Sequence, residues 1–389
     1  MREKKEKKDR KNRKENPEVS VHKKRNRILL ICFLGVIVAG ALLYEFFRYD
    51  SYDVMNTYER EDEDGTQYKV FGTDIVRYSS DGAFYTKEDG TLIWNISYEY
   101  ANPTADISEE YVLMYDKKGR GVQLLNKKGH VSTLDTNMSI RQAAVSDTGV
   151  VAILMEEDDI SYLQVFTSEG TKVAEGHIYP QNHGYPIAID ISSDGKLLAV
   201  SCLDINGKDM TSHIIFYNFG SVGQNQTDNI VSSYTYEDEI IPDITFMDGD
   251  TCIAFGGKGQ YFYTSSEKPK ESKFLETEKD IISLSHDDKY YLTVTENDDD
   301  TEKPYLLQIY TKNGNRIGRH TFDTEYSDIG FIGSHEIAMI NEKDVHLYTM
   351  IGVNRFNGTM DNSVYGIIPR GSGIYVAILN NKTERIRLK

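Results

Sequence analysis

Two patterns of apolar and polar positions divide the chain. From Ile28 to Tyr44 it reads ILLICFLGVIVAGALLY, seventeen apolar residues without a break. From residue 68 to the C-terminus the apolar positions instead alternate or run in fives, with turn signals every 8–12 residues. A period near two argues for strands, and nothing beyond residue 47 sustains a 3.6-residue period. The first pattern predicts one α-helix, the second an all-β domain.

The β pattern repeats. A strand–turn–strand unit is clearest at Ile187–Val200, IAIDISSDGKLLAV, where Ile187, Ile189 and Ile191 alternate and Asp194-Gly195 supplies the turn. Degenerate copies start at Asp74, Thr104, Gln142, Pro242, Ile281, Ser327 and Val364, which makes eight. Downstream of each lies a short strand ending in an aromatic, then Thr or Asn, then a Gly turn. LQVFTSEG at Leu163 and LQIYTKNG at Leu307 are the best pair. Weaker relatives begin at Thr91, Val122, His213, Gln260, Val345 and Glu384, so the starts are 31 to 50 residues apart with a mean of about 42. Four short strands fill such a period. One four-stranded sheet cannot bury both of its faces, whereas a closed ring of sheets covers them all. The prediction is an eight-bladed β-propeller, with seven blades as the alternative if the 31-residue first copy merges with its neighbour. The last copy stops at its third strand, ERIRLK, so the ring needs a fourth from the other end. QYKVFG, Gln67 to Gly72, is the expected donor.

The apolar run spans roughly 25 Å as a helix, and Phe46 and Phe47 extend it towards bilayer thickness. A cleaved signal would be shorter and would end at a small-x-small site. Here Gly35, Ala39, Gly40 and Ala41 lie inside the run. Cys32 follows Ile31 rather than a small residue, which argues against lipoprotein processing. Residues 1–27 hold thirteen Lys/Arg and five Asp/Glu, net +8; the whole chain is −17, leaving −25 on residues 28–389. That asymmetry predicts a single-pass cell-membrane protein, N-terminus cytoplasmic and C-terminal domain extracellular, with the tail against anionic lipid. The segments are then a basic tail at 1–27, a transmembrane helix at 28–47, an acidic solvated stalk at 48–66 and an extracytoplasmic propeller at 67–389. An outer domain of −25 disfavours nucleic acid. Only Cys202 and Cys252 lie outside the run; they could pair, but two buried thiols is the plainer reading.

The segment SSDGKLLAV resembles the repeat of WD40-like and TolB-type propellers, and GTLIWNISY resembles a quinoprotein-type blade strand. The whole layout resembles an uncharacterised domain-of-unknown-function family of single-pass, membrane-anchored extracytoplasmic propellers from Gram-positive bacteria such as clostridia. The resemblance implies a fold and a location, and carries over no functional residues.

Catalytic signatures are missing from the sequence. Quinone-dependent propellers place a Trp in blade after blade, and Trp94 stands alone. The Ser192-Ser193-Asp194-Gly195 turn lacks the spacing and Trp of sialidase-type turns. No nucleophile elbow, zinc helix or phosphate loop occurs. His177 and His183 are the tightest histidine pair, but a loop explains them as well as a metal does. His335-Glu336 reads as a surface turn, and Asp298-Asp299-Asp300 lacks the alternation of a calcium loop. No catalytic, cofactor or metal residue is assigned.

Tyrosine is the remaining signal. Tyr179, His183 and Tyr185 lie just ahead of an expected innermost strand, Tyr234 and Tyr236 hold the matching place one repeat on, and Tyr326 a later one. A ring of them on one face could anchor a peptide or stack on sugar. The expected function is a non-enzymatic scaffold that binds an envelope protein or peptide and needs no cofactor. Cell-wall glycan binding or processing is the alternative, and an envelope sensor the third.

Overall fold

The hairpin IAIDISSDGKLLAV shows how one blade is made. Ser192 Oγ accepts the Leu197 N–H at 2.9 Å and donates to Asp194 at 2.8 Å, while Gly195 takes φ +73° to reverse the chain. The flanking strands, Tyr185–Ile191 and Leu197–Asn206, pair antiparallel, and Asp209–Asn218 and Ile230–Glu237 complete the sheet. A second turn recurs between the third and fourth strands of several blades. The Thr167 N–H donates to Thr171 and Gly170 to Thr167 in one blade, and the Thr311 N–H to Asn315 and Gly314 to Thr311 in another.

The computed structural model describes residues 47–333 and 335–389, with Phe33 and Gly35 alone from the earlier chain. The basic tail and, those two residues and Phe47 aside, the candidate span at 28–47 lie outside the described residues. Among the described residues no helix is long and apolar enough to cross a membrane.

Tyr49–Lys389 form one compact unit of eight four-stranded antiparallel sheets. Their first strands are Gln67–Phe71, Pro103–Ile107, Ser139–Val145, Tyr185–Ile191, Asp243–Phe246, Ile281–His286, Asp328–Ile332 and Val364–Gly371. Eight buried clusters lie one between each successive pair of sheets, as with Leu113 and Leu124 against Ile140 and Ile153. The eighth packs Ile368, Val376 and Ile378 of the last sheet on Ile75 of the first, which closes the ring. This is an eight-bladed β-propeller, and the seven-blade alternative is excluded.

The last sheet does borrow its outer strand from the N-terminal side, but from a different segment. Tyr52–Glu59 pairs with Lys382–Leu388, from Tyr52 opposite Leu388 to Glu59 opposite Lys382. The expected donor, Gln67–Phe71, is instead the innermost strand of the first blade. Most of the stretch read as stalk is therefore part of the ring. The physical reason is exposure: an outermost strand meets solvent on its edge and along most of its side chains, so Tyr52–Glu59 shows no apolar alternation. The first copy was also set one strand late. Gly82–Thr86 is that blade's third strand, followed by the shared turn, with Gly90 donating to Lys87. It starts 39 residues before Gly121–Asn126, so the anomalous 31-residue spacing disappears.

The closing seam has the smallest apolar cluster and is heavily ionic. Glu88 bridges Arg370 and Arg385 at 2.8 and 2.7 Å, Asp62 pairs with Arg60 and Arg77, and Tyr68 stacks on Tyr365 at 4.8 Å. Glu336, expected in a surface turn, is buried one seam earlier, where its carboxylate accepts Arg355 at 2.6 Å and the Tyr375 hydroxyl at 2.8 Å. Cys202 and Cys252 are buried free thiols, in different inter-blade cores.

Candidate functional site

Strand direction alternates within each blade, so first–second and third–fourth turns share one face of the ring. Second–third turns and the loops between blades share the other. The chain joins the ring at the former, since Tyr52 pairs with the C-terminal end of the last strand. The predicted residues fall on the latter face or beneath it.

Tyr179 precedes a four-residue helix, Pro180–His183, in the loop leading into the fourth blade; it is 45% exposed and stacks on His177 at 6.2 Å. Gly184 follows with φ +76°, and a Cβ there would lie 2.3 Å from the Leu203 carbonyl oxygen. Only glycine lets the chain pass so close and turn down into Tyr185, which is 44% exposed. His183 meets His213 edge-on at 5.8 Å, and burial together with that neighbour lowers the His213 pKa. His177 meets the Tyr162 ring instead, so the two histidines serve different contacts. Among the described residues no group of three or more metal-ligating side chains occurs.

Tyr234 and Tyr236 do not hold the matching place. They lie on the outermost strand of the fourth blade and pack into its seam with the fifth, Tyr234 donating to the Pro269 carbonyl at 3.0 Å and Tyr236 bonded to the Tyr263 hydroxyl at 2.6 Å. Tyr326 sits in an inter-blade loop, hydrogen-bonded to Ser283 at 2.8 Å and packed near Tyr305 and Phe322. The expected ring of tyrosines is not formed; Tyr179 and Tyr185 alone of the five stay largely open.

What the face offers instead is an aliphatic band. The hairpin Leu197–Asn206 and Asp209–Asn218 is unusually long, ten residues a side, and carries Ile205 directly opposite Met210 near its tip. Ile205 is 64% exposed. The Met210 carbonyl accepts the Glu239 N–H at 3.4 Å, which places exposed Ile240 beside the hairpin. Beyond it a groove of about 550 Å³ runs between the fifth and sixth blades, lined by Ile240, Pro242, Gly256, Gly257 and Ile282, the last 49% exposed. Sequence reasoning missed this band because its parts come from a hairpin tip, a loop and a strand start far apart in the chain.

The central channel is acidic. Asp190 Oδ2 accepts the Phe246 N–H at 2.6 Å and the Thr245 hydroxyl at 3.2 Å, and Oδ1 accepts its neighbour Ile191 N–H. Burial within the channel wall, with a smaller contribution from Asp106, pushes Asp190 up to about 7. Burial takes Asp106, which accepts the Val145 N–H at 2.8 Å, up to about 6. Both oxygens of Asp190 are therefore engaged, Oδ2 in joining two blades and Oδ1 with the backbone of its own strand, a poor arrangement for an acid or base that must reach a substrate.

Comparisons with known structures return propeller-sized matches of low identity. BamB from Moraxella catarrhalis superposes with TM-score 0.50 and 11% identity, over 87% of this chain and 100% of that one. Sqt1 from Chaetomium thermophilum gives 0.56 and 12%, over 87% and 100%, and Sqt1 from Saccharomyces cerevisiae 0.51 and 10%, over 88% and 99%. At these identities the likeness is one of fold. No curated protein matches the sequence. Residues 45–388 match a family described as of unknown function (DUF5711).

Proposed function

The chain belongs to this DUF5711 family, and from that premise we propose that it is a non-enzymatic scaffold whose propeller binds a protein or peptide partner at the cell envelope. The observation that carries the reading is the aliphatic band. Tyr179, Tyr185, Ile205, Met210, Ile240 and Ile282 are exposed on one face across three blades, where a lone soluble ring would gain by polar residues. That face lies opposite the one at which Tyr52 pairs with the last strand, and we read residues 28–47 as a membrane anchor. The apolar run and the +8 tail support that anchor, with the tail cytoplasmic and touching anionic lipid.

Glycan processing is the weaker reading. Tyr179 and Tyr185 could stack on sugar, but the channel carboxylate with the most raised pKa already has both oxygens bonded.

The test is co-purification after crosslinking on intact cells. Ile205→Asp with Met210→Asp should abolish recovery of the partner that wild type retains, while Ser168→Asp on the opposite face should not. Undiminished recovery from the double variant, or glycosidase turnover by the purified chain, would contradict the proposal.

A further inference from the structure

Resting on that reading, we propose that the groove between the fifth and sixth blades takes an extended peptide segment in which a Lys or Arg stands beside a branched aliphatic residue. The floor sets the apolar half. Ile240, Pro242 and Ile282 present side chains, whereas Gly256 and Gly257 present bare backbone. The two glycines differ. A Cβ on Gly256 would lie 2.1 Å from Glu239 Oε1, so packing demands glycine there. On Gly257 the nearest heavy atom would be Asp280 Oδ1 at 3.8 Å, so that space is free for a ligand side chain to fill.

The walls set the charged half. Asp238, Asp243 and Asp280 line the groove, and among the described residues none has a cation within ion-pair distance. Glu239 is buried beside them. Its Oε1 accepts the Lys258 N–H at 3.0 Å, but its Oε2 has no hydrogen bond, and the Lys258 ammonium stands 3.9 Å off. That ammonium is itself donating to the Glu237 carbonyl at 3.0 Å. Four carboxylates thus face one ammonium across an apolar floor, where low-dielectric walls strengthen the pull on an incoming cation. The same field repels anions. Because Glu239 of the groove wall is bonded through its backbone to Met210, which stands opposite Ile205, exposed apolar residues border the groove, and the ligand that fits is a chain segment several residues long rather than a free amine.

The experiment pans a random dodecapeptide phage library on the purified full chain, with a detergent-only surface as blank. Enriched clones should carry Lys or Arg next to Ile, Leu or Val. A synthetic lead peptide should lose about tenfold in affinity on Gly257→Leu and about threefold on Asp238→Asn or Asp280→Asn at low salt. The isosteric Asn variants guard against a misfolded Gly257→Leu. Enriched peptides that lack a basic residue, or that ignore all three substitutions, would overturn the groove while leaving peptide binding by the face intact. No enrichment over the blank would contradict the groove and the peptide-binding reading together.

Discussion

The Asp190 carboxylate accepts the Phe246 N–H at 2.6 Å, tying the innermost strand of the fourth blade to that of the fifth. Asp106 makes the same bond to Val145 between the second and third blades at 2.8 Å. Gln142 completes the series with a two-way bond to the Ile189 backbone, at 3.0 and 3.2 Å. These side chains act as rungs across the inner wall of the ring.

The rungs carry a pH signature. Asp190 titrates near 7 in the folded ring but near 3.9 when unfolded, so the folded state binds the proton more tightly. Its contribution to stability is full below about pH 4 and is lost as pH rises through about 7. Asp190→Asn keeps an acceptor for Phe246 and removes the buried charge. It should therefore melt higher than wild type at pH 8, by a margin of about 1–2 kcal/mol, and match it at pH 4. Thermal melts at the two pH values check this; a lower melting point at pH 8 would show that the charge strengthens the rung.

Closure of the ring depends on Tyr52–Glu59. Without it Lys382–Leu388 becomes an unpaired edge at the seam with the smallest apolar core. Deletion of residues 49–59 should lower the melting temperature by roughly 5 °C or more and promote association. Calorimetry and size-exclusion chromatography report both. Unchanged melting would mean that Glu88, Arg370 and Arg385 suffice to hold the seam.

Gly184 positions the exposed tyrosine. Its φ of +76° and the 2.3 Å approach of a Cβ to the Leu203 carbonyl leave no room for alanine without moving the start of the strand. Gly184→Ala should cost about 2 kcal/mol or more and weaken partner recovery with it. A fully stable variant with normal recovery would show that the loop relaxes freely.

The hairpins with Ser-Asp-Gly turns were legible because both their strands are buried and their turn chemistry is local. Tyr52–Glu59 was not, since an outermost strand pairs through its backbone and needs no apolar period. Tyr234 and Tyr236 were misplaced for a related reason. Their i, i+2 spacing marks a strand face turned towards the next blade, which the sequence alone does not separate from a loop. The groove was invisible because Ile240, Gly257 and Ile282 meet only when two blades are side by side.

Site-specific photocrosslinking in living cells tests the central claim most directly. A photoreactive residue at Ile205 or Ile282 should give one discrete adduct with a protein partner, and the same residue at Ser168 or Asn313 should give none. Adducts confined to Ser168 and Asn313 would place recognition on the opposite face and contradict the account.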